Sequence, residues 1–336
     1  MSDGSEMFAK AVLGAGDDQF RAEGSRQAPL VAGCTVVVCT HQRPKELNRC
    51  LQALTQQDYR PYEILVVDNA PEDGQTHEVV DAWGVRYLVE PIKGLNRARN
   101  SGARAAIHDI VAYLDDDCVP EPNWLAALLP EFRDPRVMVV TGRICGLSVE
   151  TEAERMFEIM GGKFDPLPCE RRVVDKDLDC WFELTNFGGV GNGANMAFRR
   201  RVFEMWPGFD VRLGPGCLLE RGDENLAFFS LAELGCRFVY TPQAIVRHPF
   251  PRTFDNLRER YVSSLTWWTA YATLLFCEYP RYRYRVVKYV MEALYGKRRS
   301  WRRKANVPLP RVVPLWRAVL AMLRGPMVYA RLRLSR

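Results

Sequence analysis

None of the ten cysteines stands in a C-x-x-C pair or at zinc-type spacing, which argues against both a structural zinc site and a disulfide framework. Cys34, Cys39 and Cys50 fall inside apolar periodic segments and read as reduced core thiols of a cytosolic protein. Histidine is scarce as well: His41, His77 and His108 do not cluster in sequence and carry no assigned chemistry. No stretch has the ~20 consecutive apolar residues that a membrane-crossing helix needs. The charge-free run Tyr261–Cys277, at 17 residues and rich in Ser/Thr, reads as a buried or interfacial helix. Residues 1–30 are polar and Gly-rich without an apolar segment, so a flexible N-terminal arm is expected there and no secretory leader. Internal repeats are absent, and no helix-turn-helix, RNP or zinc-finger signature points to nucleic acid.

Acidic residues nearly vanish at the C-terminal end. From Arg281 to Arg336 sixteen Lys/Arg face the single acid Glu292, a net charge of +15 that leaves about −10 for the rest of a chain totalling +5. Aromatics run through this tail: Tyr282, Tyr284, Tyr289, Tyr295, Trp301, Trp316 and Tyr329. Basic residues mixed with Trp and Tyr fit the headgroup layer of an anionic membrane, where electrostatic and interfacial attraction combine. The plainer alternative is a solvated helical face packed on the rest of the protein.

What the chain does have is an apolar run, Ile110 to Leu114, that ends abruptly in Asp115-Asp116-Asp117 and is stopped by Val119-Pro120-Glu121-Pro122. The run reads as a buried strand. Like charges this close repel unless a cation or proton offsets them. Open α/β sheets bind ligands at the carboxyl ends of their strands, and hard oxygen ligands there suit Mg²⁺ or Mn²⁺. A solvated acidic turn is the competing explanation.

The first half alternates strands with helices. Thr35–Cys39 is a β-branched strand, Pro44 suits a first helical turn, and Leu47, Leu51 and Leu54 mark one helical face. Strands are predicted at Tyr62–Val67, Val85–Val89, Ile110–Leu114 and Val137–Thr141, and helices at Thr76–Trp83, from Gly94 to about His108, and at Asn123–Phe132. This rhythm implies an α/β fold with a mostly parallel, twisted sheet and helices on both faces. Residues 143–185 have no clear period. The glycine-rich segment Asn186–Asn195 permits close ligand approach, Asp223-Glu224 precedes an apolar helix Leu226–Leu234, and Arg237–Tyr240 is a last strand before His248.

Thr40, Asp68 and Asp115–Asp117 all fall at the ends of predicted strands, so they can line one crevice. There Asp68 could accept from a base N–H, and Arg97 with the helix start near Asn96 could face a diphosphate. Each also has a local explanation: Asp68 as a turn residue, Thr40 as a helix cap, Arg97 as a surface charge.

The ordered series Val36-Val37-Val38-Cys39-Thr40-His41-Gln42-Arg43-Pro44, Val66-Val67-Asp68-Asn69-Ala70, Gly94-Leu95-Asn96-Arg97-Ala98-Arg99-Asn100 and Leu114-Asp115-Asp116-Asp117 resembles family 2 glycosyltransferases of GT-A fold. So do the segments that follow, from Gly191 to Arg200, Arg221 to Asn225 and Val246 to His248. The resemblance implies a Rossmann-like GT-A domain over residues 31–250, with a nucleotide-sugar half to about 142 and an acceptor half from about 143. Residues 251–336 are expected to form a helical, basic C-terminal extension, for which composition leaves membrane association and a solvated packed face both open. The resemblance also implies inverting transfer of a sugar from a nucleotide-diphosphate-sugar to a glycan or lipid-linked hydroxyl, with Mn²⁺ or Mg²⁺ as cofactor. Thr40, Asp68, Arg97, Asn100, Asp115 and Asp116 match nucleotide-sugar positions, and Asp115 with Asp117 matches the D-x-D motif. Asp117 and His248 match metal-binding positions, and Gly193 and Asn195 the acceptor-side wall. The base falls at Asp223-Glu224, where the family commonly has Glu-Asp; position favours Glu224 and residue type favours Asp223.

The expected setting is the cytoplasmic face of a bacterial cell membrane, in surface polysaccharide or glycolipid synthesis. A sugar-nucleotide pyrophosphorylase is a second possibility, although it would want glycines where Thr40–Pro44 stand. A third is a catalytically inert, membrane-attached binding protein.

Overall fold

The β-branched run expected as the first strand forms β1 (Cys34–Thr40), buried along its whole length. The structure is a computed structural model and describes residues 33–159, 170–294 and 313–334. The N-terminal arm expected over 1–30 lies outside these residues, as do Tyr295 and Trp301 of the basic tail. On one side β1 pairs in parallel with β2 (Tyr62–Asn69), which pairs with β3 (Arg86–Glu90), and on the other with β4 (Ile110–Asp115).

Successive strand side chains point to opposite faces. Val36 and Val38 therefore join the core formed by Leu47, Cys50, Leu51 and Leu54 of helix α1 (Pro44–Leu54). Val37 faces the other way, where helix α3 (Leu95–Ala105) follows α2 (Gln75–Trp83) and β3. There Gly102 sits so close to the sheet that a Cβ on it would lie 2.5 Å from Val37 and 3.3 Å from Val67. The sheet is thus covered on both faces, as the alternating sequence rhythm requires.

The second half of the sheet comprises β5 (Val119–Pro120), β6 (Val137–Gly146), β7 (Arg172–Val174), β8 (Asn195–Arg199) and β9 (Arg237–His248), giving nine strands in the order β3-β2-β1-β4-β8-β6-β9-β5 with β7 on β9. Only β5, β7 and β8 run against the common direction. Because β8 is antiparallel to β4, its start meets the end of β4, with Asn195 opposite Leu114. Thr40 pairs with Asp68, Cys39 with Asp115, and Gly146 with His248. Register alone therefore brings the strand-end residues of β1, β2, β4, β8 and β9 to one rim of the sheet.

Several boundaries differ from the sequence expectation. The strand at 237 continues to His248, because its register on β6 jumps from Gly142↔Thr241 to Arg143↔Ile245 and the intervening Pro242 is accommodated in that irregularity. The helix predicted over 123–132 divides into α4 (Trp124–Leu128) and a 3₁₀ turn (Leu129–Arg133), with Pro130 near its start. The unreadable stretch 143–185 contributes the end of β6, α5 (Glu152–Ile159), β7 and the start of α6 (Trp181–Phe187). Next come α7 (Val202–Met205) and the buried helix α8 (Asp223–Glu233).

The chain divides into two units. Among the described residues, one comprises 33–147, 170–211 and 223–249 and holds the sheet. The other comprises 148–159, 212–222, 250–294 and 313–334. Two short segments assigned by sequence to the acceptor half thus belong with the C-terminal helices.

In that second unit α9 (Phe254–Glu278) contains the charge-free run, with Ala270, Tyr271, Leu274 and Leu275 buried. Its first turn is capped by Thr253, which accepts from the Asn256 amide at 3.2 Å. Helix α10 (Arg283–Leu294) follows, and α11 (Leu315–Leu334) packs against α9. Among the described residues no helix is long and apolar enough to cross a membrane.

Candidate active site

Where β4 ends, the three carboxylates diverge. Asp116 turns inward, accepting from the Thr40 hydroxyl at 2.8 Å and from Arg43 at 3.3 Å. Burial pushes its carboxyl up to about 7, against the opposing pull of Arg43. Asp117 also meets Arg43 at 3.3 Å, while Arg49 donates to its backbone carbonyl at 3.2 Å.

Asp115, Asp117, Cys118 and His248 each bring a potential ligand atom into one group, all within 4.8 Å of one another. His248 Nε2 lies 3.5 Å from Asp117 Oδ1. Its Nδ1 faces the Pro249 carbonyl at 2.7 Å. A carbonyl can only accept, so Nδ1 carries a proton, and in the neutral ring Nε2 presents a lone pair to the acids. Two carboxylates and an imidazole suit a divalent cation such as Mn²⁺ or Mg²⁺.

On the β2 side, Asp68 is fully buried. Tyr87 donates to its Oδ2 at 2.8 Å, but its Oδ1 has no hydrogen-bond partner among the described residues. Burial raises its pKa, and the Tyr87 hydrogen bond opposes the rise. A buried acceptor left open is costly and is the kind of atom a ligand N–H satisfies. Asn69 holds the entry to α3, accepting from the Gly94 amide at 2.8 Å and donating to the Ile92 carbonyl at 2.8 Å. Arg97 on α3 is half-buried and has no ion-pair partner among the described residues. The Asn100 amide, in contrast, exchanges two 2.8 Å hydrogen bonds with the backbone of Phe209 and pins that loop.

The glycine-rich segment leads into β8 and meets the start of α8. Gly191 has φ 113°, and a Cβ there would lie 2.3 Å from Thr141, so only glycine fits. The turn presents Asn192, whose amide donates to Glu224 Oε1 at 2.7 Å. A Cβ on Gly193 would lie 3.0 Å from Arg99 and 3.5 Å from Glu224, so this glycine stands between them. Asn195 is buried in the sheet. It accepts from Trp124 Nε1 at 2.9 Å and donates to the carbonyls of Arg143 at 3.0 Å and Ala244 at 2.9 Å.

Arg99 links the end of β4 to the start of α8. It is 3 % exposed, pairs with Asp223, contacts the Gly193 carbonyl at 3.4 Å and approaches Asp115 Oδ1 at 3.7 Å. Its guanidinium also lies over the Phe209 ring, 5.4 Å from the centroid. Asp223 is thus held by a buried cation at the first turn of α8. Glu224 beside it is partly exposed, and burial, then the Asp223 charge, raise its carboxyl well above the ordinary range.

Arg99, Asn192, Tyr87 and Cys118 were not singled out from sequence. Arg99 carried a signal: at ~100° per residue, Arg97 and Arg99 cannot share a helix face. Ala98, Gly102 and Ala103 mark the inward side, which takes in Arg99.

A family model described as Glycosyl transferase family 2 matches residues 35–206. The chain is 26 % identical over 229 residues to the glucosyl-dolichyl phosphate glucuronosyltransferase of Haloferax volcanii, covering 64 % of this chain and 68 % of that protein. It is 28 % identical over 221 residues to the pre-mycofactocin glycosyltransferase of Mycobacterium tuberculosis, covering 64 % of this chain but 42 % of the relative. Among solved structures, the mannosyltransferase PcManGT from Pyrobaculum calidifontis, in complex with GDP-Man and Mn²⁺, superposes with a TM-score of 0.53 at 17 % identity, over 97 % of this chain and 84 % of that one. That likeness concerns the fold.

Proposed function

Because the chain belongs to glycosyl transferase family 2, we propose that it moves a sugar from a nucleotide-diphosphate-sugar to a hydroxyl acceptor in a single displacement that inverts the anomeric centre. The observation that carries this is the position of Gly193 and Arg99, which join the acidic rim at Asp115 to the carboxylates at the start of α8.

In this account Asp68 accepts from the nucleobase through its open Oδ1, and Arg97 faces the diphosphate. Asp115, Asp117 and His248 hold Mn²⁺ or Mg²⁺, which when bound offsets charge on the departing nucleoside diphosphate. Thr40 and Arg43 keep Asp116 in place beneath them. Glu224 is the base. An acceptor hydroxyl must lose its proton as it attacks, and Glu224 combines a raised proton affinity with partial access. Asp223 is tied to Arg99 and positions that guanidinium. Gly193 leaves room on the acceptor side, with Asn195 bracing the turn behind it.

The Haloferax relative is named for a dolichyl-phosphate-linked substrate, which supports a lipid-linked or glycan acceptor here. With the basic tail, this supports action at a membrane surface; the setting we propose is the cytoplasmic face of a bacterial membrane, in surface polysaccharide or glycolipid synthesis. The test is release of nucleoside diphosphate from a panel of UDP-, GDP- and dTDP-sugars by the full chain, with Mn²⁺ and with chelator. Metal-dependent release from one donor is expected. Turnover only with added pyrophosphate would indicate a pyrophosphorylase, and no turnover of any donor an inert binding protein.

A further inference from the structure

Helix α11 has two apolar faces, and among the described residues only one is covered. Ala321, Gly325, Tyr329 and Leu332 form a buried stripe at spacings of four, four and three residues. Gly325 sets the fit, because a Cβ there would lie 2.0 Å from Thr269 Oγ1 and 2.6 Å from the Thr266 carbonyl of α9. So close a contact fixes the rotation of α11 about its own axis and thereby decides which residues face outward.

Those residues are Leu315, Trp316, Val319, Leu320, Leu323 and Met327, which are 41–72 % exposed. A soluble helix places polar side chains there. A contiguous exposed apolar patch of this kind marks an interaction surface. Arg317, Arg324 and Arg331, seven residues apart, are exposed along one border of the patch, and no acid occurs after Glu292. On the preceding helix α10, Tyr284, Val287, Met291 and Leu294 are exposed at helical spacing beside Arg283 and Lys288.

We infer that α11 lies in the plane of an anionic bilayer, with the Leu315–Met327 face among the acyl-chain ends and Arg317, Arg324 and Arg331 at the lipid phosphates. This deepens the membrane reading of the tail by assigning it to one helix face with a fixed orientation. Charge selects the occupant. A second copy of this chain would bring seven-spaced arginines against one another, whereas an anionic lipid surface complements them. The long arginine stems let the charges reach the headgroups while the apolar face is buried. Trp316 is the residue type favoured at that boundary.

The experiment is co-sedimentation of the full chain with phosphatidylcholine vesicles and with vesicles containing phosphatidylglycerol. Leu320→Asp with Leu323→Asp should lower partitioning onto anionic vesicles at least tenfold. Each arginine of the triple Arg317→Gln, Arg324→Gln, Arg331→Gln variant should account for about fivefold, and the preference for anionic over neutral vesicles should largely disappear. All substituted side chains are solvent-exposed, and unchanged thermal melting confirms that the variants fold. Parent-like partitioning of both variants would overturn the assignment of the α11 face while leaving a membrane role for the tail intact. Failure of the parent protein to bind either vesicle would overturn both. A parent dimer in vesicle-free solution that Leu323→Asp dissociates would show the face to be a self-association surface instead.

Discussion

Arg99 and Asp223 form a buried ion pair that ties helix α3 to the first turn of α8, and the same guanidinium stands 3.7 Å from Asp115 at the end of β4. The side chains are 4 % and 6 % exposed. One cation thus holds together two acidic segments more than a hundred residues apart, and Glu224 owes its place to that arrangement.

Removing the cation should unfold the site. Arg99→Met leaves the buried Asp223 without its charge partner, a change that typically costs about 3–5 kcal/mol. The urea midpoint should fall accordingly, and Arg99→Lys should recover only part of the loss because it lacks the planar fork. A parent-like midpoint for Arg99→Met would show that Asp223 is held by other contacts.

The raised proton affinity of Glu224 sets a pH dependence. A base acts only when ionised, so transfer should fall about tenfold per pH unit below a pKa lying well above the usual carboxylate range. Stability has the opposite sense. The native carboxyl keeps its proton to higher pH than the unfolded chain, whose value is the ordinary 4.5. Stability therefore declines as pH rises from there through the native pKa. Glu224→Gln should remove this contribution to the slope; a slope that persists unchanged belongs to another group.

Asp117→Ala and His248→Ala should each weaken Mn²⁺ binding by about tenfold or more, measured by calorimetry in the presence of a nucleoside diphosphate. Unaltered affinity in either variant takes that residue out of the metal site.

Asn195 predicts a different phenotype. Its side chain satisfies Trp124 Nε1 and the carbonyls of Arg143 and Ala244. Asn195→Leu removes all three hydrogen bonds and takes the acceptor from the buried Trp124 Nε1–H, at about 1–3 kcal/mol for that group alone. The melting temperature should drop, and Mn²⁺ affinity of the remaining folded protein should stay near that of the parent. A metal-binding defect without loss of stability would indicate that Asn195 faces the ligand.

Much of the site was legible because it depends on strand ends. β-branched runs announced β1 and β4, and polar residues at the point where such a run stops fall on the binding rim of a parallel sheet. That was enough to place Thr40, Asp68, Asp115 and Asp117 at the rim, where their roles are part of the proposal. What depends on register or rotation was hidden. Whether Asn195 faces a ligand or the sheet depends on its pairing opposite Leu114. Whether Arg97 or Arg99 is buried depends on helix rotation, and the continuity of β9 on a register jump around Pro242. Residues 143–185 gave no period because they hold short elements from two units.

The central claim is that the carboxylate after Asp223 takes the acceptor proton within a site that binds the donor independently of it. Single-turnover transfer by Glu224→Gln, measured beside donor affinity in Mn²⁺ and beside Asp223→Asn, addresses it most directly. Transfer should fall by about 10²–10⁴-fold in Glu224→Gln with donor affinity unchanged, while Asp223→Asn loses stability first. Transfer at the parent rate in Glu224→Gln would contradict the account.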